Sequence, residues 1–185
     1  MGSEFLRNSL MILIGRGAEG CVYLNSKTSV IKVFHQQNGW KENFQELERF
    51  LILYQYTESV PKLIRIDFQN AVIEMEYLKD YITLMDLKRL KLLKTEKALK
   101  SLITVIEETH LRMIPDDQHS YQDLGFFEFC VHQTNTMVKI EDGICISARF
   151  IEGGKFITAP NVVKNGIVAS TLRDFWGKIR APSAP

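Results

Sequence analysis

Three glycines constrain this chain more than any other feature. Gly15-Arg16-Gly17-Ala18-Glu19-Gly20-Cys21-Val22 fits the pattern G-x-G-x-x-G-x-V. An apolar run, Met11 to Ile14, precedes it, and the β-branched and aromatic stretch Cys21-Val22-Tyr23-Leu24 follows. The glycines therefore join two strands. Without Cβ atoms at fixed places, the backbone N–H groups of such a turn can come close to an anion that side chains would hold off. A dinucleotide-binding loop uses the same glycines but opens into a helix. Here a strand follows, which excludes that reading and predicts a hairpin that covers phosphates.

The rest of the first half extends this start. Asn25-Ser26-Lys27 supplies turn chemistry before a third strand, Val30-Ile31-Lys32-Val33-Phe34. From Lys41 to Tyr54 the period changes, and Phe44, Leu47, Phe50, Leu51 and Tyr54 fall on one helical face. Leu63 to Phe68 and Ala71 to Tyr77 read as a hairpin turned at Gln69-Asn70. After Leu78 the composition shifts to leucine and lysine. A helical period runs from Thr83 to Lys100 and on through Leu102 to Met113, with Pro115-Asp116-Asp117 as an interruption. Glu141-Asp142-Gly143 between Met137-Val138-Lys139-Ile140 and Ile144-Cys145-Ile146 is a second hairpin signal. A last helix is expected from Val168 to Ile179. The expected division is a vector-derived or disordered start over 1–9, a first lobe over 10–78, a second over 79–179 and a tail over 180–185.

Lys32 stands among apolar strand residues, where an ammonium is costly unless paired. With the glycine loop before it, Val30-Ile31-Lys32 resembles the V-A-I-K strand of protein kinases. That resemblance implies that Lys32 holds phosphates while pairing with a glutamate on the following helix. Glu46 and Glu48 are both available, and Glu46 is preferred because Leu47, Phe50 and Leu53 stand at the offsets kinase helices use. Ile73-Glu74-Met75-Glu76-Tyr77-Leu78 resembles the kinase hinge. It implies Met75 at the back of an adenine pocket and backbone hydrogen bonds from Glu76 to Leu78. The likeness spans Ile12 to Leu87 and is similar to small atypical kinase-like proteins: RIO-type kinases, the kinase-like subunit of the tRNA-threonylcarbamoyl complex, and minimal effectors of bacterial pathogens. It implies an α+β, bilobal protein-kinase-like fold, with a five-stranded antiparallel N-lobe plus one helix and a truncated, mainly helical C-lobe. It also implies nucleotide contacts from Gly15, Gly17, Gly20, Val22, Lys32, Glu46, Met75, Glu76, Leu78 and Asn135.

In the second half the resemblance weakens. A kinase needs H-R-D-L-x-x-x-N and then D-F-G, to accept a proton and hold Mg²⁺. Aligned on the second hairpin, Asn135 falls at the metal-binding asparagine and Glu128-Phe129-Cys130 at H-R-D. Ser147-Ala148-Arg149-Phe150 falls at Ile-Asp-Phe-Gly. Cys130, Ala148 and Arg149 are then degenerate positions and both catalytic aspartates are missing. The alternative is a displaced base from Asp116, Asp117 or Asp123 in an active minimal Ser/Thr kinase. The implied ligand is ATP, with Mg²⁺ held only if Asn135 and another carboxylate serve; no dedicated metal site is expected. Arg149 offers positive charge in the metal's stead.

Composition narrows the remainder. A net charge of +1 gives no global pull toward nucleic acid or acidic lipid. Cys21, Cys130 and Cys145 are an odd set without paired spacing, which points to a reducing compartment. No apolar run approaches the roughly 20 residues needed to span a bilayer. A cytoplasmic or nuclear protein, or one in a host cytosol, is expected, with a protein as partner and neither nucleic acid nor membrane. Lys88, Lys91, Lys94, Lys97 and Lys100 recur every third residue and read as one solvated helical face opposite Leu87, Leu90 and Leu93. His110 and His119 are expected at the surface or as caps. Cys130-Val131-His132 lacks the four ligands of a metal site and reads as packing.

Overall fold

The computed structural model describes residues 11–113, 134–151 and 167–176. They fall into two compact units, one within Met1–Gln55 and Pro61–Lys79, the other within Tyr56–Val60 and Asp80–Pro185.

In the first unit, β1 (Ile12–Arg16), β2 (Gly20–Leu24), β3 (Ser29–Phe34), β4 (Leu63–Asp67) and β5 (Val72–Glu76) form an antiparallel sheet in the order β1-β2-β3-β5-β4. Helix α1 (Trp40–Tyr54) is inserted between β3 and β4. This is the five-stranded sheet with one helix that the sequence predicts. The tight β2–β3 link is held by Ser26, whose hydroxyl accepts from Ser29 N at 3.0 Å and from Thr28 N at 3.1 Å. At the β4–β5 turn Asp67 accepts from Asn70 N and Nδ2, which holds its carboxyl below the usual range. Alternation sorts the sheet's two faces. Val30, Lys32 and Phe34 share one of them, with Val22 opposite Lys32 on β2 and Ile73 opposite it on β5. An aromatic cluster fixes α1 to this face. Phe44 stands 5.2 Å from Phe34 and 5.3 Å from Phe68, and Trp40 stands 5.3 Å from Phe68. On the other face Glu74 binds Asn25 Nδ2 at 2.7 Å and Arg65 Nε at 3.5 Å.

In the second unit, β6 (Ile82–Thr83), β7 (Thr136–Glu141) and β8 (Ile144–Phe150) form a sheet in that order. Among the described residues its helices are α2 (Leu84–Arg89), α3 (Glu96–Met113) and α4 (Ile167–Trp176). The α3 helix packs on β8, and its Ala98, Leu99, Leu102, Ile103 and Ile106 are buried. Ser59 ties the short segment 56–60 to this unit: its hydroxyl donates to Thr109 O at 3.0 Å and its carbonyl accepts from Phe150 N at 2.8 Å.

Two expectations are corrected here. The helix from Thr83 to Lys100 is two helices. Lys91 takes a φ of 53°, and the N–H groups of Leu92 and Lys91 turn back to Leu87 O and Lys88 O, a Schellman ending with lysine where glycine is usual. Thr95 then starts α3, its hydroxyl accepting from Ala98 N at 3.1 Å. The five lysines are exposed but do not share a helix face, and Leu90 is exposed while Leu87 and Leu93 are buried. His110 is buried, its ring 4.6 Å from that of Phe150, because the inner face of α3 turns it toward β8. Pro115, His119 and the tail lie outside the described residues, as does the end of the last helix beyond Trp176.

Candidate functional site

The glycine loop is built by the β1–β2 register. Arg16 stands opposite Cys21 and Gly15 opposite Val22, with an irregularity between Leu13 and Gly15. Gly17 N donates to Gly20 O at 2.9 Å, closing a tight turn at the tip. Two contacts pin that tip to the end of β3: His35 N donates to Glu19 O at 2.8 Å and Gln37 Nε2 to Ala18 O at 3.2 Å.

The three glycines have different reasons to be glycine. A Cβ on Gly20 would fall 2.3 Å from Val33 O, so this one is demanded by the sheet itself. At Gly15 the nearest atom would be Val22 Cβ at 3.7 Å, and at Gly17 it would be Gly20 O at 3.9 Å. A Cβ at either place would make only ordinary van der Waals contacts with the described residues, so packing does not demand glycine there. Bare backbone at these two positions suits a ligand that approaches it closely, as phosphates do.

Lys32 lies on the same face, 8% exposed. Its Nζ stands 4.7 Å from the centre of the Phe34 ring and donates to Glu19 Oε2 at 3.0 Å. Glu46, expected as the lysine's partner, is half-buried on α1 and makes no ion pair among the described residues. The structure thus places a glutamate of the loop, which sequence reasoning passed over, on the lysine's ammonium. The available signal was a carboxylate inside the glycine motif itself, one residue before Gly20.

Met75 is buried on β5, opposite Val30. Beyond it, Tyr77 N donates to Thr28 O and Lys79 N to Tyr77 O, both at 2.9 Å, while Glu76 N is bonded to Lys62 O. The N–H of Leu78 has no backbone partner among the described residues, which leaves it available to a ligand. Gly15, Gly17, Val22, Lys32, Met75 and Leu78 therefore all belong to the first unit.

In the second unit the β7–β8 hairpin turns at Asp142 and Gly143, both with positive φ, as a two-residue loop of the primed kind requires. The pairing runs further than the sequence implied. Thr136 stands opposite Phe150, and Ile151 N donates to Asn135 O at 2.9 Å. Residues 147–150 are thus ladder, not the loop that follows it. Ala148 is buried opposite Val138, and Arg149 lies half-buried opposite Met137 with its Nε buried and without a hydrogen-bond partner among the described residues. The strand's exit falls at Ile151, and the next carboxylate in sequence is Glu152, followed by Gly153 and Gly154. Glu152 lies outside the described residues, as do Asp116, Asp117, Asp123 and Cys130. Among the described residues no three His, Cys, Asp or Glu side chains gather as a metal site, and no helix is long and apolar enough to cross a membrane.

No family model matches the chain, and no curated protein matches it in sequence. Solved structures do. The ADP-bound aminoglycoside phosphotransferase APH(2'')-Ib is 15% identical with a TM-score of 0.43, over 65% of this chain and 38% of that one. The choline kinase LicA from Streptococcus pneumoniae is 12% identical with a TM-score of 0.41, over 94% of this chain and 76% of that one. The chain thus spans well under half the length of the phosphotransferase. At these scores neither likeness bears on the chemistry of the site, and the description of the fold rests on its own strand order and register.

Proposed function

We propose that this chain is a kinase-like domain that binds a nucleotide such as ATP, transfers phosphoryl groups poorly if at all, and works through contacts with a protein partner. One observation carries the nucleotide reading. A buried lysine, two glycines that packing does not demand, and a Leu78 N–H without a backbone partner among the described residues all belong to one sheet and its exit. These are the groups that phosphates and an adenine edge require. The impaired transfer is supported by Cys130 at the counted place of the proton-accepting aspartate. ATP at 100 times its Kd should add about 2.7 kcal/mol of stability. The shift in Tm should vanish in Lys32→Ala, and radiolabelled ATP with Mg²⁺ or Mn²⁺ should label neither the protein nor generic acceptors. Absence of any shift in the wild type leaves a scaffold without nucleotide.

The length of β8 favours a second reading, an active minimal kinase. With the ladder running to Phe150, the next carboxylate in sequence after the strand is Glu152. Mg²⁺ would then be held by Asn135 with Glu152, and the base would come from Asp116, Asp117 or Asp123. Lys32-dependent labelling that Glu152→Gln and one of the three Asp→Asn variants abolish would select it.

A further inference from the structure

Glu19 is a charged residue of the glycine loop that the nucleotide reading does not use. Its position is built in rather than incidental. The Gly17–Gly20 turn sets the tip, and Glu19's own carbonyl is bonded to His35 N at 2.8 Å, so the backbone on which its side chain hangs is fixed at the end of β3. From there the carboxylate meets the ammonium of Lys32 at 3.0 Å. The two partners differ in freedom: the Lys32 side chain is 10% exposed and that of Glu19 38%. The lysine is held by the sheet, whereas the carboxylate is more than a third exposed to water.

We propose that Glu19 stands in for a nucleotide phosphate on Lys32, so that the phosphate site is closed by an anion of its own loop and opens only to a ligand anionic enough to displace it. The proposal rests on the nucleotide reading above and adds a selection rule to it. A carboxylate brings one negative charge to Lys32, whereas a di- or triphosphate brings several and competes well. A nucleoside brings none and a monophosphate few. Glu19 thereby selects for chain length of the phosphate and keeps the site shut to weakly charged adenine compounds. The ion pair also neutralises charge on a mostly buried ammonium while no ligand is bound.

The test compares wild type with Glu19→Gln and Glu19→Ala by calorimetric titration of ATP, ADP, AMP and adenosine. A second readout, without nucleotide, is the rate at which trinitrobenzenesulfonate labels Lys32, followed by peptide mass. Removing the competing charge should tighten ADP and ATP by about five- to tenfold, on the order of 1 kcal/mol. It should also bring AMP into measurable binding and speed Lys32 labelling severalfold. Unchanged affinities beside unchanged labelling overturn the proposal while leaving the nucleotide reading in place. If no variant binds any nucleotide, that reading falls, and labelling alone then decides whether Glu19 guards Lys32. Equal labelling rates in that case overturn the guard as well.

Discussion

A side-chain carbon on Gly20 would stand 2.3 Å from the carbonyl oxygen of Val33 on the neighbouring strand. Gly20 is where β2 begins to pair with β3, opposite Phe34, and the same short stretch carries Glu19 onto Lys32. Gly20→Ala should therefore move backbone, not merely a side chain, and lower stability by about 1–3 kcal/mol, as overpacking does. Gly15→Ala and Gly17→Ala meet nothing closer than 3.7 Å and should leave the urea midpoint nearly unchanged while weakening nucleotide binding. A Gly20→Ala protein as stable as wild type would refute this division of roles.

Lys91 holds a left-handed φ of 53° at the end of α2 and is exposed. A non-glycine residue there costs on the order of 1 kcal/mol. Lys91→Gly should recover part of that, about 0.5 kcal/mol after glycine's greater freedom in the unfolded chain is subtracted. A rise in the urea midpoint checks it; a fall would mean that the lysine side chain contributes more than its backbone costs.

Thr136 is fully buried on β7, and its hydroxyl has no hydrogen-bond partner among the described residues. Thr136→Val keeps the shape and removes the unsatisfied group, so stability should rise by about 1 kcal/mol. A loss of similar size would show that the hydroxyl is in fact bonded in solution.

Burial pushes the Cys145 thiol up to about 12 from its ordinary 9.0, opposed only in part by hydrogen bonding from the Ser147 backbone. The folded protein favours the neutral thiol, so this contribution is fully present below pH 9.0. It is lost as pH rises from there toward 12, where the unfolded chain ionises first. The stability of wild type should thus fall more steeply across that window than that of Cys145→Ala. At pH 8 a thiol reagent should spare Cys145 in the native protein and label it after unfolding, as peptide mapping would show. Rapid native labelling would contradict its burial.

How much of this was legible in the chain follows from the range of each signal. The five strands, the helix between the third and fourth, and the Asp142-Gly143 turn are written in local pattern: glycine spacing, alternation, and a helical period from Phe44 to Tyr54. The break between α2 and α3 was hidden because Lys91 carries no turn signature and the leucine–lysine rhythm continues through it. Ser59 gave no hint that it would bond Thr109 and Phe150, fifty and ninety-one residues on.

The sequence by itself determined the sheet, the loop that caps it and the presence of a lysine that must be paired, since each depends on neighbours within a few residues. Only the tertiary structure decided which carboxylate meets that lysine and where the second hairpin ends. The first depends on His35 and Gln37 drawing the loop tip onto β3, which favours Glu19 over Glu46. The second depends on Asn135 and Thr136 continuing to pair while Ala148 and Phe150 are buried. Both are choices between residues of equal local merit, and only contacts between distant parts of the chain can make them.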